Sequence, residues 1–395
     1  MIKVGIIYGG ESVEHEVSII TAVQAMNYLD SKKYQAVPIY ISKDRNWYTG
    51  ECLKDMATYK KLEEIPLVAK EVTLTKKDNE FILQKKRGLF SGIVDTIDVA
   101  FPIVHGKGVE DGSLAGYLET LGIPYVGPSI LGAAVGQDKV VQKQIMAASN
   151  IPVVDYVWFF DYEYLNDEET ILKKIKKLGY PVIVKPARLG SSVGINVVKR
   201  EADIKDALEE AIKYDEKIVV EAMVKNLLEV DCAVVGTPEN MECSLIGEML
   251  TSNDFLTFED KYLANGGKKS AKTSGKISNS GFKIPAELDK DLEEQIYNYS
   301  KEAFKCLSLS GVTRFDFLID KKDKKVYVNE PNTIPGCLAF FFFTPKGKKY
   351  NKLLDELITR AIKKYKDSKK KVTSFESNVL STFDGAKGAK GKMQM

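Results

Sequence analysis

Asp316, Glu330 and Asn332, with Arg314 beside them, are the residues of this chain whose types and spacing best suit chemistry. They lie in GVTRFDFLIDKKDKKVYVNEPNTIPG, where two runs rich in aromatic and β-branched residues, 312–319 and 326–328, flank a charged KKDKK turn. That pattern predicts a β-hairpin. Side chains alternate faces along a strand, so Arg314 shares a face with Asp316, and Glu330 with Asn332. A turn centred on Asp323 would set Asp316 opposite Glu330 and Arg314 opposite Asn332. Leu318 and Val328 would continue that face as an apolar floor, while Phe315, Phe317 and Ile319 anchor the other side on a core. Two carboxylates and an amide oxygen form a hard, oxygen-only cluster suited to Mg²⁺, which completes its octahedron with water and phosphate. Without a metal the two acids would repel and one would bind a proton. A surface hairpin with scattered charge would carry the same residue types, so the metal reading needs support from elsewhere in the chain.

That support is a phosphate-binding pattern. PVIVKPARLGSSVGINVV reads as two strands, 182–185 and 195–198, around a loop holding Gly190, Ser191, Ser192 and Gly194, with Lys185 just upstream. Gly and Ser amides can wrap phosphates, although neither the GK[ST] nor the following helix of a Walker A loop is present. Lys139 follows Asp138 at a predicted helix. Near the N-terminus, the strand at 3–8 runs into GGESVEHEVS and a helix over 16–29, a layout that presents helix N-terminal amides to an anion. Glu14, His15 and Glu16 sit at that entry; an acid there would either cap the helix or hold a substrate ammonium group. A second polar loop, HGKGVEDG with His105, follows the strand at 99–104. In parallel sheets ligands sit off the C-terminal ends of strands, where both loops fall. The Gly-, Ser- and Lys-rich stretch 250–282 places Lys261 and Tyr262 on a segment able to close over a site.

Length and composition bound the class of protein. The 395 residues exceed what one core usually serves, which predicts two or three domains. Apolar residues make up 44%, and the net charge of +2 argues against a bulk grip on nucleic acid. No apolar run approaches a membrane span. Five scattered Cys and only two His show neither a disulfide framework nor zinc spacing, which fits a reducing cytoplasm. The first ~128 residues alternate strand and helix, as in a small parallel α/β domain. A hairpin is expected over 72–83. Helices are expected at 113–121, 201–214, 285–307 and 349–365, and the lysine run ILKKIKKL reads as a solvated helix face.

Read together, GGESVEHEVS, HGKGVEDGSLAGYLE, GAAVGQDKV, VKPARLGSSVG, TRFDF and NEPNTIPG resemble the D-alanine–D-alanine ligases of the ATP-grasp superfamily, over residues 3–366. The resemblance implies an α/β (α+β ATP-grasp) architecture. An N-terminal parallel α/β substrate domain (1–128) precedes two ATP-grasp subdomains that sandwich ATP, at 129–221 and 222–370, and a disordered tail (371–395). It implies ATP and two Mg²⁺ as cofactors, with Mn²⁺ able to substitute. Asp316, Glu330 and Asn332 would be the metal ligands, and Lys139, Lys185 and Lys261 would lie on the phosphates. Ser191 and Ser192 would lie in the phosphate loop, and Glu221, Ala222 and Val224 in the hinge that reads adenine; Glu229 would hold the ribose. Glu14, linked to Ser191 and Tyr262, would take the first substrate's ammonium, with His105 beside the transferred phosphate. Arg314 and the Gly336 amide would hold the substrate carboxylate and later oxyanion. The implied reaction joins two D-alanines through an acyl phosphate for peptidoglycan and cell-wall biogenesis. The implied protein is a cytoplasmic homodimer with no nucleic-acid or membrane partner.

The sequence departs from that family pattern once. After NTIPG the chain reads CLAFFFFTPKG, and Phe341 stands where a serine would bind the second substrate's carboxylate, leaving backbone amides or Lys346 for that task. This leaves open an acceptor other than D-alanine, such as D-serine, D-lactate or another amino acid. A non-catalytic ATP-binding regulator is a further alternative, and retention of the metal and lysine set argues against it.

Overall fold

A computed structural model describes residues 1–86, 92–250 and 281–374. Lys261, Tyr262, the tail and all of the 250–282 segment except its ends lie outside the described residues. Among the described residues the strands form three sheets. The first takes β1 (Ile2–Gly9), β2 (Tyr34–Ile41), β3 (Trp47–Thr49), β4 (Lys70–Lys77), β5 (Glu80–Lys85), β6 (Ile93–Ile97) and β7 (Val99–Pro102) in the order β6-β5-β4-β3-β2-β1-β7. Among these strands β1 pairs in parallel with β2 and with β7, whereas β2 to β6 pair antiparallel in sequence. The sheet is therefore mixed: parallel at β2-β1-β7, as read for this domain, and antiparallel through β4 and β5, where the sequence predicts the hairpin over 72–83. The links from β2 to β3 and from β4 to β5 are too short for the crossover a parallel pair needs. The parallel part is the part that matters for the site. Helix His15–Tyr28 follows β1 and helix Ser113–Leu121 follows β7, so the loops leaving these neighbouring strands meet.

The second sheet is antiparallel. It comprises β8 (Tyr156–Phe160), β9 (Val182–Pro186), β10 (Asn196–Val198) and β11 (Lys217–Ala222) in the order β10-β9-β11-β8. Its core is closed by helices Glu168–Leu178 and Ile204–Ile212, which bury Ile171, Ile175, Ile204, Leu208 and Ala211 at helical spacing and leave the lysine run exposed, as read. The third sheet, β14-β13-β12-β15-β16, contains β12 (Leu227–Thr237), β13 (Asn240–Met249), β14 (Phe282–Lys283), β15 (Gly311–Asp320) and β16 (Lys325–Asn332). Helix Lys290–Cys306 packs Leu292, Ile296, Ala303 and Phe304 onto it. That helix starts at Lys290 and not at 285, because the Ala286 amide is still bonded to the Ile246 carbonyl beside the strand.

Helix Tyr350–Ser368 closes the molecule. Its stripe Leu353, Leu354, Leu357 and Ile358 is fully buried in one core shared with β1, β2, β7 and the Phe342–Phe343 corner. Each such side chain contributes ~1.5–3 kcal/mol, so this helix joins the first sheet to the third and holds the two halves of the site in register.

Candidate functional site

The hairpin delivers its polar face as expected. Asp316 stands opposite Glu330 and Arg314 opposite Asn332. One step further the register slips, and Phe317 faces Val328 and Leu318 faces Tyr327. The placement of Val328 on the polar floor is therefore corrected: Val328 is fully buried with Phe315 and Phe317. The cause is a β-bulge at Asn329, whose extra residue turns Val328 into the core while Glu330 stays aimed at Asp316. The side-by-side acids are neutralised by cations. The Arg314 guanidinium grips Asp316 at 2.8 and 2.9 Å and reaches Asp231 at 3.0 Å. The Lys139 ammonium lies 3.1 Å from Glu330, and Asn332 Nδ2 donates to Asp316 at 3.0 Å.

The lysines come from the second sheet and the helix before it. Asp138 caps helix Lys139–Ala148 by accepting from the Val140 and Val141 amides, which fixes where Lys139 points. Lys139 also donates to the Leu189 carbonyl at 2.6 Å, tying the Gly/Ser loop to the hairpin. Lys185 donates to Glu221 at 2.7 Å, and Lys143 lies 3.0 Å from the other oxygen of that carboxylate. Burial alone would raise the Glu221 carboxyl; Lys143 and Lys185 outweigh it and hold the group down at about 2. Burial pulls the Lys185 ammonium down, but Glu221 and Glu330 together leave it raised. Glu229 stands on β12 opposite Leu318, close enough to favour the charge of Lys185. At the hinge the Ala222 amide bonds to the Asp155 carbonyl, and Val224 follows beyond the end of β11.

The Gly/Ser loop bends through left-handed backbone at Ser191 and Ser192 (φ 51° and 61°). Such angles are uncommon for residues with a side chain, and they cluster at ligand-binding loops. Ser191 Oγ donates to the Glu14 carboxylate. Glu14 occupies the N-cap position of helix His15–Tyr28, but its side chain makes no cap bond, so of the two readings of that acid the capping one is excluded. A Cβ at Gly190 would come within 2.8 Å of Glu14 Oε2, so a larger residue there would push the Glu14 carboxylate aside. Glu16 instead pairs with Lys43, and His15 bonds to the Gly10 carbonyl and the Tyr40 hydroxyl.

His105 is buried on the β7 loop and bonded to the Ile334 backbone, with its Nε2 lacking a hydrogen-bond partner among the described residues. Burial pushes its pKa down and so favours the neutral ring. Glu110, five residues on, accepts from the Gly106 amide (2.9 Å), the Thr333 hydroxyl (3.0 Å) and the Ile334 amide (3.1 Å). It thereby clamps the His105 loop to the segment after Asn332. Burial and the nearby Glu14 push the Glu110 carboxyl up to about 7. Because this pKa is raised on folding, the unfolded chain ionises first as pH rises from 4.5, and stability is lost up to about pH 7. Glu14→Gln removes the neighbouring carboxyl that helps raise Glu110, so the melting temperature of that variant should fall less between pH 5 and pH 8 than the wild type's. An equal fall in both proteins would contradict the coupling.

Gly336 has open space where a Cβ would stand. Beyond it Cys337, Leu338 and Ala339 turn left-handed (φ 52°, 51° and 50°), and the Cys337 amide donates to Thr21 Oγ1 at 3.1 Å. Phe341 is half-buried against Phe282, Phe340 and Phe342, and Lys346 donates to the Cys243 carbonyl at 2.7 Å. Lys346 is thus engaged away from Gly336, and Phe341 serves packing. Lys143, Glu110 and Asp231 were not singled out in the sequence. Lys143 is legible as one helical turn beyond Lys139, and Glu110 as one of the two acids within HGKGVEDG.

Two antiparallel sheets joined by lysines and carboxylates, preceded by a parallel-centred α/β sheet, define an ATP-grasp fold. Models of the D-ala D-ala ligase N-terminus and C-terminus match residues 3–128 and 145–359. The chain is 40% identical to the D-alanine–D-alanine ligase of Thermosipho melanesiensis over 96% of this chain and 98% of that one. Among solved structures, it resembles the D-alanine-D-alanine ligase from Coxiella burnetii with a TM-score of 0.76 and 29% identity, over 94% of this chain and 98% of that one. It resembles a D-Ala:D-Ser ligase from Enterococcus faecalis with a TM-score of 0.75 and 28% identity, over 91% of this chain and 99% of that one. The chain belongs to the D-alanine–D-alanine ligase family. No described helix is long and apolar enough to cross a membrane.

Proposed function

We propose that this chain joins two D-alanines at the expense of ATP, through an acyl phosphate, for peptidoglycan precursor synthesis. The observation that supports this most is the convergence of Lys139 on Glu330 and Lys185 on Glu221 beside the paired acids of the hairpin. These lysines are held by carboxylates that a metal and a phosphate would take over. The donor set fits Mg²⁺: two carboxylates and an amide, with the remaining positions left to water and phosphate. A half-turn of the Asn332 amide would present its oxygen. Held by Asp316, Glu330 and Asn332, two Mg²⁺ ions, or Mn²⁺ in their place, would neutralise charge on the transferred phosphoryl group.

The chain's own residues do the positioning that phosphoryl transfer needs. Lys139, Lys185 and Lys261 neutralise phosphate oxygens, and the left-handed Ser191–Ser192 turn lays its amides along them. The hinge at Glu221, Ala222 and Val224 takes the adenine, and Glu229 the ribose. Glu14, already bonded to Ser191, receives the ammonium of the first D-alanine, with Tyr262 completing the link. His105, whose Nε2 has no hydrogen-bond partner among the described residues, stands beside the transferred phosphate. Arg314 and the Gly336 amide hold the developing oxyanion, a contribution of ~3 kcal/mol per donor. The protein would act in the cytoplasm as a homodimer.

A second reading concerns the acceptor alone. Phe341 is packed among phenylalanines and carries no donor for the acceptor's carboxylate. D-Serine, D-lactate or another amino acid could therefore replace the second D-alanine. Product analysis separates the readings: with Mg-ATP and D-alanine alone, the dipeptide and an equal amount of phosphate are expected. Product with D-alanine plus a second acceptor, and none with D-alanine alone, would favour the alternative.

A further inference from the structure

We propose that Lys143 is a positioning residue for the metal half of the site: it ties the bulged carbonyl of Asn329 on β16 to the Glu221 carboxylate on β11, and so fixes Glu330 opposite Asp316. The inference rests on the metal reading given above. Lys143 is 0% exposed, and its Nζ lies 3.0 Å from Glu221 Oε1 and 3.0 Å from the Asn329 carbonyl. Asn329 is the residue that the register slip leaves without a partner on β15, and the lysine supplies one. The two partners belong to different sheets, so Lys143 spans the cleft between the adenine hinge and the metal-facing strand.

Stability alone does not account for this arrangement. Burying an ammonium and a carboxylate costs several kcal/mol, and such pairs are often replaced by apolar side chains with no loss of stability. The bulge gives the triad a purpose. Glu330 comes directly after Asn329, so the direction of its carboxylate depends on where the bulged peptide is held. Lys143 also occupies one oxygen of Glu221, which leaves Lys185 only the other and keeps its ammonium near Glu330. Lys143 itself touches neither phosphate nor metal in this scheme.

The test uses the full-length protein, Mn²⁺ as the metal and a non-hydrolysable ATP analogue, with bound Mn²⁺ read by electron paramagnetic resonance. Lys143→Met should lower Mn²⁺ affinity by about 10–100-fold, the usual effect of losing an outer-shell partner. It should raise the metal concentration needed for turnover and leave the KM for D-alanine unchanged. In Lys143→Met the Glu221 carboxylate keeps Lys185 as its partner, so the fold should hold; Lys143→Gln, uncharged like Met and similar in size but able to donate, is measured beside it. Lys143→Gln should bind Mn²⁺ more tightly than Lys143→Met, since it restores a donor toward the Asn329 carbonyl without restoring the charge. Equal Mn²⁺ affinity in Lys143→Gln and Lys143→Met would reduce Lys143 to a charge balance and overturn the inference, as would wild-type Mn²⁺ affinity in Lys143→Met. Failure of the wild-type protein to bind Mn²⁺ with the analogue would instead overturn the metal reading, and this inference with it.

Discussion

Glu330→Gln should reduce turnover by on the order of 10³-fold and leave the fold intact. The substitution keeps the size and a hydrogen-bonding oxygen but removes one of two charges that would bind metal at the hairpin. Loss of metal-assisted charge neutralisation costs several kcal/mol of transition-state stabilisation, and ~4 kcal/mol is about three orders of magnitude in rate. The fold should tolerate it because Glu330 is half-buried and Lys139 keeps its bond to the Leu189 carbonyl. Phosphate release under saturating Mg-ATP and D-alanine measures the first effect, and circular dichroism with thermal melting measures the second. Turnover within a fewfold of wild type would remove Glu330 from the metal site.

Glu221→Gln should have the larger effect on stability. Its carboxylate balances Lys143 and Lys185, and all three are almost wholly buried. Removing one partner of a buried charge set leaves the others uncompensated, at a cost of about 3–5 kcal/mol. The pH dependence has a definite sign. The folded carboxyl sits near 2, below the ordinary 4.5, so its contribution is full above pH 4.5 and is lost as pH falls from 4.5 to 2. Wild-type stability should therefore fall across that window more steeply than the variant's. Urea unfolding at pH 7 gives the cost of the substitution, and melting at pH 5 and pH 3 gives the slope. A variant as stable as wild type at pH 7 would mean that the lysines find other partners.

Much of the site could be read from the chain because it rests on local rules. Strand alternation alone sets Arg314 with Asp316 and Glu330 with Asn332, and the structure pairs them as read. The meeting of the Glu14 and His105 loops follows from their strands being parallel neighbours. What could not be read depends on contacts distant in sequence. Glu14 at a helix start looks like a cap until Ser191, from a loop 177 residues away, is seen to take its carboxylate. The bulge at Asn329 has no signature of its own, because Val328 suits either face until the core claims it. Lys143 looks like any lysine on a helix until Glu221 and Asn329 enclose it. Phe341 reads as a lost acceptor ligand, and the structure adds its packing partners, Phe282 among them.

In the proposed reaction the carboxylate of the first D-alanine takes the γ-phosphoryl group of ATP before the amine attacks. D-Alanine labelled with ¹⁸O in its carboxylate, turned over with Mg-ATP, tests this through the ³¹P spectrum of the phosphate released. Transfer of one labelled oxygen into each phosphate is expected, because cleavage of the acyl phosphate leaves that oxygen on phosphorus. Unlabelled phosphate accompanying dipeptide formation would contradict the account.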